Sequence, residues 1–156
     1  MAKETVLITG GAGYIGSHAV LAFQEAGYPV VVLDNLSSGR REAVARKIPF
    51  VRGDVGDRAI LDKTMRKHGV AAVAHFAGSI EVAESVVDPL KYYRNNTCAS
   101  RTLIEACVAN GVRRFVFSST AAVYGLPSSV PILESAATAP INPYGTSKLM
   151  TEWMLR

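Results

Sequence analysis

The sequence predicts an α/β fold, a doubly wound parallel sheet of five strands in the order 3-2-1-4-5. Short β-branched apolar runs alternate with longer amphipathic stretches along the 156 residues. A glycine-rich turn from Thr9 to Gly16 joins the first apolar run to the first amphipathic one. The second run, Pro29 to Asp34, is almost wholly apolar, as strands are when helices cover both faces of a sheet. Right-handed crossovers between such units place the first strand centrally and open a ligand crevice between strands 1 and 4.

The first strand is Val6-Leu7-Ile8. Ile15, Ala19, Ala22, Phe23 and Ala26 are spaced like the inner face of the helix that follows, which closes at Gly27. Between them, Gly10, Gly13 and Gly16 suit a turn whose free N–H groups and positive helix end face an anion. Side chains there would obstruct the turn, the phosphate's approach, or the packing of helix on strand. A merely tight connection is the alternative, and Asp34 weighs against it. It ends the second strand 18 residues beyond Gly16, where an acid receives the adenosine ribose hydroxyls. A carboxylate there repels a 2′-phosphate and so favours NAD over NADP. Asp34 as a plain turn residue is the other reading. Asn35, Ser37, Ser38 and Gly39 continue as a polar loop able to follow the ribose.

Ile48 to Val51 reads as the third strand. Asp57 is the predicted N-cap of a helix that turns Ile60, Leu61 and Met65 inward and stops at Gly69. Val70 to Phe76 makes the fourth strand, and the small residues Ala77-Gly78 after it permit close contact with a flat ligand such as nicotinamide ribose. His75 within this strand reads as a core histidine rather than a catalytic one. Asp88-Pro89 opens a long helix that ends at Asn110-Gly111. Asn95 and Asn96 lie in its interior, where asparagine is a poor helix former, so one is expected to face the cofactor and the other solvent, a purely structural role for both being the alternative. Arg113 to Ser118 forms the fifth strand, and Asn142-Pro143 opens the last helix.

Composition narrows the function classes. With 49% hydrophobic and 19% charged residues the chain reads as one soluble globular domain over residues 1–156. No apolar run reaches the roughly 20 residues of a membrane span, and no signal peptide is expected. Cys98 and Cys107 match neither a metal motif nor a disulfide framework, so no metal and a cytoplasmic location are expected. The net charge of +4 is scattered, with Arg40, Arg41, Arg46 and Lys47 the one loose cluster, so nucleic acid is not an expected partner.

The chemistry is expected at Thr120, Tyr144 and Lys148. Tyr144 and Lys148 are four apart on one predicted helix and share a face. A tyrosine with an ordinary pKa near 10 is a poor base at neutral pH, but an ammonium beside it stabilises the phenolate. Thr120 leaves strand 5 and could hydrogen-bond a substrate hydroxyl. Together they suit removal of a proton from an alcohol that is being oxidised by NAD. An unremarkable surface pair is the alternative for a bare Tyr-x-x-x-Lys.

The chain resembles the extended short-chain dehydrogenase/reductase family, and within it the UDP-hexose 4-epimerases. The matching segments are Thr9 to His18, Leu33 to Leu36, Gly53 to Val55, His75 to Gly78, Glu84 to Val86, Tyr92 to Asn96, Phe117 to Gly125 and Pro143 to Lys148. The resemblance implies a Rossmann-like fold with bound NAD. It places Tyr14 and Ile15 over the pyrophosphate, Asp54 and Val55 beside adenine, Phe76 with Ala77 and Gly78 at the cofactor, and Asn95 at the nicotinamide half. Tyr144 is then the base, Lys148 its pKa tuner and ribose ligand, and Thr120 the third member. The implied reaction interconverts UDP-glucose and UDP-galactose. The sugar's 4-hydroxyl loses its proton as hydride passes to NAD, and the 4-keto sugar turns over before hydride returns.

Ala121-Ala122 stands where the family's 4,6-dehydratases carry an acidic pair, which weakens that reading. Ile80 stands where many epimerases have lysine. The chain stops at Arg156, at the end of the helix that carries Lys148, so the carboxyl-terminal substrate domain is expected to be lacking, as in a truncated form, a natural fragment or a pared-down protein. A homodimer through the Asp88 helix and the last helix is expected. Three functions are thus in view: a UDP-hexose 4-epimerase or its catalytic half, an NAD-binding module without turnover because the UDP-sugar clamp is missing, and a non-enzymatic interaction domain. The intact trio argues against the third.

Overall fold

The structure, a computed structural model, describes residues 3–156. In chain order the elements are β1 (Thr5–Thr9), α1 (Tyr14–Glu25), β2 (Val30–Asp34), β3 (Phe50–Arg52), α2 (Arg58–His68), β4 (Val70–His75), α3 (Val82–Val87), α4 (Pro89–Tyr92), α5 (Ala99–Ala109), β5 (Arg114–Phe117) and α6 (Pro143–Met154). A π-helical turn, Tyr93–Cys98, joins α4 to α5, and short 3₁₀ turns occupy Arg41–Ala43 and Ala121–Tyr124. Two compact units form: the described residues up to Ala77 with Thr102–Ser118, and Gly78–Arg101 with Ser119–Arg156.

The first unit holds the sheet, parallel throughout and ordered β3-β2-β1-β4-β5 as the sequence predicts. β1 and β2 pair with Val6 opposite Val30 and Ile8 opposite Val32. Their alternate residues Val6, Ile8, Val30 and Val32 join Ala12, Val20, Val44, Ile48 and Ala74 in one buried cluster. Leu7, Val31, Leu33 and Val73 are buried too and alternate to the opposite face, where α2 packs on β4. Asp57 caps α2 by accepting from the Ala59 and Ile60 N–H groups at 3.0 and 3.1 Å, and Gly69 ends it in the left-handed conformation. His75 is a core histidine: Thr9 Oγ1 lies 2.6 Å from its Nδ1, and its ring stacks on Phe117.

The start of one strand and the inner face of one helix differ from expectation. The third strand begins at Phe50 rather than Ile48, because Pro49 has no N–H to give the ladder; its carbonyl still accepts from Val32 N at 2.9 Å. The inner face of α1 carries Gly16, Ala19, Val20 and Phe23, whereas Ile15, Ala22 and Ala26 are exposed. A Cβ at Gly16 would sit 2.1 Å from the Gly10 carbonyl oxygen, so only the glycine row can approach the turn. Ile15, one residue and about 100° away, is then turned outward.

In the second unit α6 is the hub, packing on the π turn, the 3₁₀ turn Ala121–Tyr124, α3 and α4. Asn142 caps it by accepting from Gly145 N at 2.8 Å, with Pro143 in the first turn. Asp88 caps α4 through Lys91 N at 3.1 Å. The predicted helix from Asp88 to Asn110 is present as α4, the π turn and α5 in unbroken succession, whereas α3 has no counterpart among the predicted elements.

Candidate active site

In the first unit the residues assigned to the dinucleotide lie around the glycine turn. Gly10, at φ +69°, packs against the end of β4: a Cβ there would lie 2.5 Å from Ala77 N and 2.7 Å from the Phe76 carbonyl carbon. Gly39 packs against Ala12, 2.8 Å from its carbonyl carbon by the same measure, and Arg40 N donates to Ala12 O at 3.0 Å. The loop after β2 is thereby folded onto the turn. Asp34 fastens it further, accepting from Ala12 N at 2.9 Å on one carboxylate oxygen and from Leu36 N at 2.8 Å on the other. The turn role and the ribose role are compatible, since each carboxylate oxygen has a second lone pair. Asn35 donates to Asp54 at 2.8 Å, Val55 is buried beside them, and Ser37 and Ser38 are exposed.

Gly13 is different from Gly10 and Gly16. A Cβ on it would meet only the Gly10 carbonyl oxygen, at 3.3 Å, so the chain's own packing demands little of this glycine. It is the N-cap of α1 and offers no side-chain cap, the first turn holds no acid, and Tyr14 and Ile15 are 82% and 61% exposed. Open N–H groups, a positive helix end and a missing side chain fit a pyrophosphate.

In the second unit Tyr144 and Lys148 are on α6, and the 3₁₀ turn that Thr120 opens packs on the same helix. Thr120 accepts from Ala122 N at 3.1 Å, capping the 3₁₀ turn. Ser119, just before it, donates to Glu152 near the end of α6. Ala122, just after it, presses its carbonyl oxygen on Gly145, where a Cβ would approach to 2.7 Å. Thr120 is therefore held against α6 from both sides. Tyr144 is in the first turn of that helix and half-buried, its ring edge-on to Tyr92 at 6.3 Å. Lys148, one turn on, is 4% exposed, and burial pushes its ammonium down to about 8. At neutral pH it still carries its proton and can stabilise a phenolate on the same face.

Asn96, rather than Asn95, is the buried amide of the pair, at 2% exposure. Its Oδ1 accepts from Ser79 N at 2.7 Å, and its Nδ2 donates to Ser79 O and to Ser147 Oγ, both at 3.0 Å. Gly78 lies against it: a Cβ there would be 2.9 Å from Asn96 Oδ1 and 3.7 Å from Lys148 Nζ. Asn95 is exposed and donates to Ser79 Oγ at 3.1 Å. Asn96, Ser79 and Ser147 are thus organising residues that the sequence reading did not single out for this role. A paired Asn in a helix interior was the available signal, without the phase to tell the two apart.

Among the described residues no cluster of His, Cys, Asp or Glu could hold a metal, and no helix is long and apolar enough to cross a membrane. Cys107 is buried, which pushes its thiol up to about 12, and Cys98 is exposed; neither is in a disulfide.

Residues 6–156 match the NAD dependent epimerase/dehydratase family. The chain is 63% identical over 155 residues to a UDP-glucose 4-epimerase of Azospirillum brasilense, covering 99% of this chain and 44% of that protein. It spans less than half the length of this protein and of other curated relatives such as that of Rhizobium leguminosarum, at 54% identity and 47% of its length. Among solved structures, UDP-glucose 4-epimerase from Brucella ovis in complex with NAD superposes with a TM-score of 0.95 at 50% identity, over 97% of this chain and 46% of that one. The Thermotoga maritima enzyme with UDP-glucose gives 0.92 at 39% identity, over 97% and 50%. With a dinucleotide-type turn, a parallel sheet of this order and a family match across nearly its whole length, the chain belongs to the NAD dependent epimerase/dehydratase family.

Proposed function

We propose that residues 1–156 work as the NAD-binding, catalytic part of a UDP-hexose 4-epimerase that interconverts UDP-glucose and UDP-galactose through a 4-keto sugar. The observation that carries this reading is the face of α6, where Tyr144 and a buried Lys148 stand one turn apart, with the turn opened by Thr120 packed on the same helix. The names of the most similar relatives support the substrate. NAD, when bound, supplies a reversible two-electron acceptor for the sugar's C4. The chain's residues do the rest. N–H groups at the head of α1, with Gly13 leaving room, neutralise the pyrophosphate, and Asp34 takes the ribose hydroxyls with Asn35, Ser37, Ser38 and Gly39 alongside. Asp54 and Val55 flank the adenine, Tyr14 and Ile15 cover the pyrophosphate, and Phe76, Ala77, Gly78 and Asn95 meet the nicotinamide half.

Tyr144 takes the proton of the 4-hydroxyl while Thr120 holds that oxygen, and it gives the proton back when the reduced sugar re-forms. Lys148 stabilises the phenolate that forms as the proton is taken and contacts the nicotinamide ribose. No net oxidation occurs, so one NAD serves many turnovers. A second copy of the chain as partner, and a cytoplasmic site of action, belong to the same proposal. Incubating the 156-residue chain with UDP-galactose and NAD should yield UDP-glucose, and Tyr144→Phe should abolish it. Equal conversion by the variant would remove Tyr144 from the role of base.

A further inference from the structure

We propose that Tyr92 is a positioning residue for Tyr144, itself anchored by Glu84 and Lys91. The proposal deepens the reading above, since it takes Tyr144 as the proton acceptor. Tyr92 is the largest fully buried side chain among the described residues, yet it has a polar tip. Its hydroxyl lies 2.6 Å from the Glu81 carbonyl oxygen and 2.8 Å from Glu84 Oε2, so its one proton is shared between two acceptors. Lys91 Nζ donates to the other oxygen of Glu84 at 2.5 Å. That bond, with the Tyr92 hydroxyl second, holds the Glu84 carboxyl below its usual range.

The cluster ties α3, a helix of 6 residues too short to be stable alone, to the first turn of the helix that continues from α4 through the π turn into α5. What it fixes is the Tyr92 ring, and that ring meets Tyr144 at 6.3 Å and 86°. In this edge-to-face arrangement the positive edge of one ring lies on the negative face of the other, so the pair is directional. Tyr144 is in the first turn of α6, where a half-buried side chain has more than one rotamer open to it. An immobile neighbouring ring removes the alternatives. A phenol kept in one rotamer stays on the face it shares with Lys148, whereas a released one spends part of its time away from the cation that stabilises its phenolate. Burial first, and Glu84 second, push the Tyr92 phenol up to about 12, so it stays neutral and does not compete as a base.

Phenolate absorbance of the full chain, titrated with pH, tests this; the step lost in Tyr144→Phe belongs to Tyr144. Tyr92→Phe keeps the ring and should leave that step in place. Tyr92→Leu removes the ring and should move the step upward by about half a unit or more, a roughly threefold loss of phenolate stabilisation. Glu84→Ala, at a more exposed site, frees the Tyr92 hydroxyl and should move it the same way by less. An unmoved step in Tyr92→Leu overturns the proposal; if that variant loses the parent's circular dichroism, an unmoved step in Glu84→Ala does so. A parent whose Tyr144 step coincides with those of the exposed tyrosines sinks the assignment of the base itself, and the positioning role with it. The two failures are therefore read in different proteins.

Discussion

Replacing Lys148 with methionine separates what this residue does for the chemistry from what it costs the fold. The side chain is 4% exposed, and burial lowers its ammonium from 10.5 to about 8. For a base whose folded value lies below its unfolded one, the unfolded chain binds more protons between the two values, so stability rises with pH across that window. Each unit is worth about 1.4 kcal/mol, so burial penalises the folded state by about 3 kcal/mol at pH 7 and by about 1 kcal/mol at pH 10. Methionine fills much the same volume and has no charge to desolvate. Urea unfolding of both proteins at pH 7 and pH 10, each on the Tyr144→Phe background so that the phenol coupled to Lys148 does not titrate, gives the difference between them, in which the titrating groups independent of Lys148 cancel. The parent should gain about 2 kcal/mol on the variant between the two pH values. The change with pH carries the test, because packing differences between the two side chains act equally at both. A gap that stays constant, or moves the other way, would refute the claim that Lys148 is held as a desolvated cation in the folded chain.

Gly16→Ala should destabilise by about 1–3 kcal/mol and weaken NAD binding, because its Cβ would meet the Gly10 carbonyl oxygen at 2.1 Å and α1 must move off the turn. Gly13→Ala, with only one 3.3 Å contact to relieve, should melt close to the parent while losing NAD affinity; thermal melts beside NAD titrations tell the two apart. Asn96→Ala strips the partners from Ser79 N, Ser79 O and Ser147 Oγ, and a loss of about 2–4 kcal/mol in urea unfolding is expected.

Local rules written in the chain carried much of the fold. The caps at Asp57, Asp88 and Asn142 each accept the N–H bonds that their residue types promise, and Gly69 takes the left-handed stop. The strand order follows from apolar runs and right-handed crossovers, which depend on neighbours in sequence. Residue spacing alone also placed Tyr144 and Lys148 on one helix face, because four residues make about one turn of any α-helix.

Where the phase of a helix depends on what it touches, sequence was not enough. The apolar spacing of α1 pointed to Ile15, but the closest backbone approach in the turn admits only a glycine face, and Ile15 went outside. The π turn at Tyr93–Cys98 adds a residue to the helical repeat, so periodicity cannot say which of Asn95 and Asn96 faces inward. Contacts with Ser79 and Ser147, 17 and 51 positions away, decided for Asn96. The same holds for the Glu84–Tyr92–Tyr144 chain of contacts and for the buried state of Lys148. The sequence determined which groups are available and which helix they ride on; how deeply each is desolvated, and which neighbour fixes its rotamer, was decided by segments that meet only once the chain is folded.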